Sequence, residues 1–442
     1  MAQATTTQNQ TPDSKGSTQR SIIIIGSLFF IFGFVTWLNS VLIPYLKMAN
    51  ELNNFEAYLV AFASYISYFV MAIPSAWVLQ RTGFKKGMTL GLVVMAIGAL
   101  IFIPAALSRT YGLFLFGLFV QGSGLALLQS AANPYITILG PIESAARRIS
   151  IMGICNKLAG ALAPIIFGAI LLKNMDALEA KLLTLGAVEK ASELDELSSR
   201  VITPYVIMAI VLVALGILIY FSALPEIETD TEDEAVAAAN KDKKSIFQFP
   251  NLLMGTLAMF VYVGVEVIAG DTVISYARNA QNIPTDVAKF FTTYTLIAMI
   301  VGYLVGTVTI PKYLSQQKAM QISGILGILL GLTAIFTDGY ISVLFISLLG
   351  LANALVFPAI WPLSLAGLGR FTKIGSSFLI MALAGGAIIP PLYGYLADAW
   401  NPQSAYWIII PCYLYIWFFA SKGHKMAKSG GKSTEIDPEI TI

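Results

Sequence analysis

The sequence predicts an all-α integral membrane protein: twelve transmembrane helices in two six-helix halves, with both termini cytoplasmic. Three observations lead there. Of 442 residues, 57% are hydrophobic and only 12% are charged, about half the charged share of a soluble domain. The apolar residues fall in blocks of about 20, the length that crosses a hydrocarbon core about 30 Å thick. A long polar segment, 225–249, with an acidic run at 226–234, divides these blocks six and six.

Taken in order, residues 1–20 are rich in Gln, Thr and Ser and read as a disordered cytoplasmic tail. The apolar run that begins at Ser21 is too long for a signal-peptide core and lacks a small-residue cleavage pattern, so it is a first span. The spans of the amino-terminal half (21–224) cover 22–46, 57–79, 88–107, 111–139, 151–172 and 203–224. Those of the carboxyl-terminal half (250–420) cover 252–278, 289–310, 322–336, 341–367, 375–397 and 405–420. The segment 225–249 is then a solvated cytoplasmic linker, and 421–442 a second cytoplasmic tail.

An even number of spans places both termini on one side, and basic residues say which. Eighteen of the 27 Lys and Arg lie in segments on the terminus side, eight lie opposite, and Lys157 lies within a span. The termini are therefore expected in the cytoplasm. With 27 basic against 25 acidic residues there is no surplus charge for nucleic acid. Cys155 and Cys412 both sit in apolar blocks, so no disulfide framework is expected.

The halves carry a trace of duplication. Gly160-Ala161-Leu162-Ala163-Pro164-Ile165-Ile166-Phe167-Gly168 in span five parallels Gly386-Ala387-Ile388-Ile389-Pro390-Pro391-Leu392-Tyr393-Gly394 in span eleven, at an offset of 226 that also pairs Arg147 with Lys373 and Ser150 with Ser376. Two six-span repeats joined by a cytoplasmic loop are the plan of major facilitator transporters, with a site near mid-membrane between the halves.

Two motifs sharpen this. Span one holds Phe30-Ile31-Phe32-Gly33-Phe34-Val35-Thr36-Trp37-Leu38-Asn39 running into Leu42-Ile43-Pro44, and span four closes on Ala131-Ala132-Asn133-Pro134-Tyr135-Ile136-Thr137-Ile138-Leu139-Gly140-Pro141. With Arg81-Thr82-Gly83-Phe84-Lys85-Lys86 and Lys373-Ile374-Gly375-Ser376-Ser377-Phe378, the chain resembles the fucose:proton symporter family of the major facilitator superfamily, in its branch of bacterial glucose/galactose and related sugar permeases. The resemblance implies the major facilitator fold, a bacterial inner-membrane location and a monosaccharide substrate. It also implies acidic residues at two positions held here by Ser40 and Gln129. Neither titrates, so the proton-binding roles do not transfer; the positions remain as polar groups lining a cavity. Gln80 likewise replaces the aspartate usual in the loop between spans two and three.

An ionisable group at mid-membrane costs a few kcal/mol and is a functional candidate by default. Lys157, about 13 Å into span five, needs a partner, and Asn156 is its neighbour in sequence. Gln129 and Asn133 share a face of span four at similar depth. These four are expected to form one polar patch in the amino-terminal half. In span seven Glu266 lies a little beyond mid-membrane between Gly264 and Gly270, with Tyr262 one turn below on its face. Asp271 is rotated about 140° from Glu266 on an unbroken helix and is expected near the outer surface. Glycines that let span seven unwind would bring the two carboxylates together and offer carbonyls to sodium.

Asn39, Gln129, Asn133, Asn156, Lys157, Tyr262, Asn353 and Trp361 are the candidate sugar-binding residues, and Glu266 and Asp271 the candidate ion-coupling ones. Trp361, near Asn353 in span ten, is preferred over Trp37 for stacking on a sugar face. Each has a structural alternative: Lys157 reaching a helix carbonyl or snorkelling along a wet crevice, Glu266 pairing with Lys157 or with an amide on another span, the amides acting as interhelical glue worth under about 1 kcal/mol each, and Trp37 as an interfacial anchor.

The lone histidine, His424, lies in the tail, so a histidine metal site or proton relay is not expected. Gly430-Gly431-Lys432-Ser433-Thr434 lacks the leading glycine of a phosphate loop, where Met426 stands, so no nucleotide is expected. The expected function is uptake of a hexose or deoxyhexose by a monomeric secondary transporter. It has no cofactor, and its driving force is a coupled proton or sodium ion. An uncoupled facilitator and a non-transporting sugar sensor are the alternatives. Against an enzyme stands the lack of any clustered nucleophile, base and metal ligands.

Overall fold

A computed structural model describes residues 13–138, 145–222, 224, 245–310, 313–368 and 371–430. The linker residues 225–244, including the acidic run, the end of the Asn133-Pro134 motif at 139–141, and the tail beyond 430 lie outside them. Apart from short turns the described chain is helical.

Among the described residues, eleven helical stretches are long and apolar enough to cross a membrane. One, Asn54–Leu107, has 54 residues, about 80 Å at 1.5 Å per residue, enough to cross twice. Gly83, at φ 74° and ψ 174°, turns it between spans two and three. The expected loop 81–86 is thus a single break within helix, giving twelve crossings. A capping box between Asn53 and Glu56 starts span two. The first helix begins at Asp13, inside the segment read as a tail. Between spans five and six, a stretch read only as polar folds into Met175–Leu182 and Ala187–Ser199. These helices bury Leu178, Leu194 and Leu197 and leave the charges outside.

Several spans are discontinuous. Span one breaks at Trp37 and Leu38, between helices Asp13–Thr36 and Asn39–Ala49. Span seven runs Pro250–Val267, then a π turn at Ile268–Thr272, then Val273–Asn279. Span ten breaks after Asn353 and resumes at Val356. The outward surface is apolar, with Phe69, Ile73 and Trp77 on span two and Leu304, Val305 and Val308 on span eight all exposed. Their helical spacing is that of faces that contact lipid.

The duplicated motif marks where the halves meet. A Cβ on Gly168 of span five would touch Lys289 at the start of span eight, and one on Gly394 of span eleven would touch Tyr58 and Asn54 of span two. Equivalent glycines therefore admit equivalent cross-half contacts. On the side opposite the termini these contacts become bonds. Asp398 accepts from the Asn54 backbone N–H (3.2 Å), the Asn54 side chain (2.6 Å) and the Phe55 N–H (2.9 Å) at the amino end of span two. Arg278 pairs with Asp176 at 3.3 Å and Glu179 at 2.8 Å, and the Thr285 N–H and hydroxyl both donate to Asp176.

Partial burial pushes the Asp176 carboxyl up, but the Thr285 and Arg278 donors outweigh it and hold the group below the usual carboxylate range. A depressed folded pKa stabilises above the unfolded value, near 4, and the contribution is lost as pH falls through the folded value. This fastening is expected to hold at pH 5 and fail only in stronger acid. Amide exchange across 276–288, corrected for intrinsic rates, checks it; loosening already at pH 5 would contradict the assignment.

A candidate substrate and ion site between the halves

Lys157 does not stay within its own half. Its ammonium meets Glu266 Oε1 at 2.7 Å, joining span five to span seven, with side chains only 10% and 12% exposed. The same ammonium lies 4.8 Å from the centre of the Trp37 ring. Trp37, ranked below Trp361 for a cavity role, is 2% exposed and fills the break in span one. A Cβ on Gly160 would lie 2.3 Å from its ring, and one on Gly270 2.0 Å. The indole is therefore a wedge between span five of one half and span seven of the other, and only glycine admits it on either side.

Three members of the expected four-residue patch bond in different directions. The Gln129 amide donates to Tyr68 of span two at 2.8 Å, and Asn156 to the Phe29 carbonyl of span one at 3.3 Å. Lys157 crosses to Glu266. Gln129, Asn133, Asn156 and Glu266 are nonetheless all half-buried deep within their spans, as are Tyr303, Phe357 and Trp361. A Cβ on Gly153 of span five would lie 3.7 Å from the Tyr303 ring of span eight. Tyr262 is buried beside Glu266, with its ring 6.2 Å from Phe357, which in turn stacks on Trp361 at 5.9 Å. An ion pair flanked by amides and an aromatic run can bind hydroxyl groups and an apolar face together.

Asn353 is fully buried and bonded to the Tyr413 hydroxyl at 2.9 Å. The break in span ten separates it from Trp361. Asn39 is 3% exposed, accepts from Ser64 at 3.3 Å, and lines a small cavity with Tyr65, Tyr68 and Gln121. Ser40, at one of the substituted acidic positions, donates its hydroxyl to the Trp37 carbonyl at 2.8 Å and so fixes the break.

Asp271 corrects an expectation. It is completely buried rather than near the outer surface. The 140° separation assumed an unbroken α-helix, but Ile268–Thr272 form a π turn. Such a turn closes on the fifth residue rather than the fourth and carries Asp271 round toward the Glu266 face. Glu266, Tyr65 and the Asn39 side chain are its polar surroundings. Sequence reasoning also passed over Tyr58, Tyr65, Tyr68 and Ser275, because buried tyrosines and a serine in apolar helices carry no pattern of their own.

Comparison with known proteins identifies the family. The sequence model of the Major Facilitator Superfamily matches residues 25–373. A glucose/galactose transporter of Brucella abortus is 37% identical over 401 residues, 90% of this chain and 92% of that one. The L-fucose-proton symporter of Escherichia coli is 31% identical over 419 residues, 92% and 95% of the two chains. The crystal structure of the transporter FucP in its outward conformation superposes with a TM-score of 0.69 at 28% identity, covering 91% of this chain and 98% of that one. These relatives are transporters, not enzymes. With a matched family model over most of its length and near full-length relatives above 30% identity, the chain belongs to the major facilitator superfamily, in the group of the glucose/galactose transporters and fucose–proton symporters.

Proposed function

We propose that the protein takes up a hexose or deoxyhexose across the bacterial inner membrane by alternating access, with its termini in the cytoplasm. Uptake is driven by a proton or sodium ion handled at Glu266 and Asp271. The observation that carries this is the Lys157–Glu266 pair, a largely buried bond that spans the two halves near mid-membrane. A charge pair there is expensive unless it serves a passage. Sugar hydroxyls would be read by Gln129, Asn133, Asn156 and Lys157, with Asn39 and Asn353 behind them, and the apolar face by Trp361 with Tyr262. A site that pairs each hydroxyl rejects a sugar lacking one, because its own groups are left unsatisfied.

Counterflow in proteoliposomes with labelled glucose, galactose, mannose, fucose and N-acetylglucosamine tests this. At least one sugar is expected to exchange, and Gln129→Leu to weaken its apparent affinity about tenfold, the worth of one hydrogen bond near 1.4 kcal/mol. Binding without exchange would replace the transporter by a sensor. Exchange that neither a proton nor a sodium gradient converts to accumulation would make it a facilitator.

A further inference from the structure

Among the described residues, Asp271 is the one buried carboxylate whose environment the ion pair does not explain. It is 0% exposed, and neither oxygen has a hydrogen-bond partner. The buried cation of the site, Lys157, is held by Glu266 at 2.7 Å. A bare carboxylate sealed in this way loses its hydration without compensation, a penalty of several kcal/mol, and such groups neutralise instead.

Two agents can neutralise it, a proton or a metal cation, and the π turn distinguishes them. A widened turn offers carbonyls to sodium, but here hydroxyl groups face three successive ones. Thr272 donates to Ile268 O and Thr292 to Gly270 O, both at 2.7 Å, while the Thr295 hydroxyl is shared between Phe291 O at 3.1 Å and Ala269 O at 3.3 Å. Thr272 also bonds to the Tyr406 hydroxyl at 2.7 Å. Spans eight and twelve thus supply this turn with hydroxyl groups rather than charges. The titratable groups facing Asp271 are Glu266 on its own span and Tyr58 and Tyr65 on span two, with the Asn39 amide from span one. A hard cation would need several free oxygens around the carboxylate; a proton needs none.

The seal is also a moving part. Trp37 belongs to the amino-terminal half and Gly270, against which it packs, to the other. Parting the halves on the side opposite the termini must lift the indole from the residue next to Asp271.

We propose that Asp271 is the proton carrier of the transport cycle, and that Lys157–Glu266 is the clamp between the halves rather than the titrating group. This deepens, and rests on, the transport reading above. With the halves apart, an Asp271 oxygen takes one proton from the outer aqueous phase, forming an O–H bond. Trp37 then closes over the neutral acid. The O–H bond breaks when the opposite side opens and the proton leaves past Glu266, so one proton moves per cycle with no redox change.

The test uses the full-length protein in proteoliposomes with glucose, galactose and fucose as probes. An imposed pH gradient is expected to drive about tenfold accumulation per pH unit in the wild type, the ratio set by one proton per sugar, with sugar-induced alkalinisation outside. Asp271→Asn is expected to exchange labelled sugar yet reach only equal concentrations inside and out, with no alkalinisation. Proton-driven accumulation by D271N overturns the assignment. So does wild-type accumulation driven by sodium alone, or wild-type exchange that neither ion gradient converts to accumulation.

Infrared spectra of purified protein at neutral pH give a second readout, which stands even where D271N fails to exchange. A protonated-carboxyl band in wild type and Glu266→Gln but not in D271N is expected; its absence from E266Q overturns the proposal. If the wild type exchanges none of the sugars, the substrate reading fails while the infrared band still decides Asp271.

Discussion

Replacing Lys157 with Met alone is expected to destabilise the protein more than replacing Lys157 with Met and Glu266 with Gln together. Each charge is nearly excluded from solvent, at 10% and 12% exposure, and each is the other's ionic partner. Removing one member of a buried pair strands the other and costs about 3–5 kcal/mol, whereas removing both is often close to neutral. The pair joins spans five and seven, so the single change also works against the arrangement in which the halves are drawn together. A loss of about 3 kcal/mol shifts that population more than a hundredfold. Thermal unfolding of the purified single and double variants, with uptake measured beside it, provides the comparison. Single variants that melt with the wild type would show the pair to be energetically idle and remove the argument that it clamps the halves.

The second large effect is expected at Gly394. A Cβ there would lie 2.5 Å from the Tyr58 ring and 2.9 Å from the Asn54 carbonyl, across the seam between spans eleven and two. The carbonyl belongs to a capped helix start whose N–H groups Asp398 holds, so it has little room to yield. Gly394→Leu should therefore fold, since the clash lies between halves rather than within one, but prevent closure on the side opposite the termini. Overpacking of this kind costs about 1–3 kcal/mol, a population shift of roughly 5- to 150-fold. Uptake should fall accordingly. A cysteine at Ser275, buried on span seven beside Tyr58, should become reactive to an impermeant maleimide. Unchanged labelling in the Gly394→Leu background would mean that the seam is not where closure occurs.

The architecture was legible because lipid leaves few alternatives: long apolar blocks must be helices, and an unpaired charge among them must find a partner. Lys157 and Glu266 could be nominated on that ground, and their pairing across 109 residues stood among the structural alternatives. Asp271 was misplaced for a definite reason. Periodicity assumes 100° per residue, and a π turn has no compositional signature, so its rotation is invisible before the fold is known. Trp37 was underrated because the glycines that receive it, Gly160 and Gly270, lie on other spans, and a tryptophan read alone looks like an anchor. The helices Met175–Leu182 and Ala187–Ser199 were hidden by their charge, which masked the few leucines that dock them.

Spans two and three are two helices joined through a single non-helical residue, Gly83. So short a joint leaves little slack between them. In the transport cycle proposed above, release of Asn54 from Asp398 frees the far tip of span two to swing outward, and span three is carried with it.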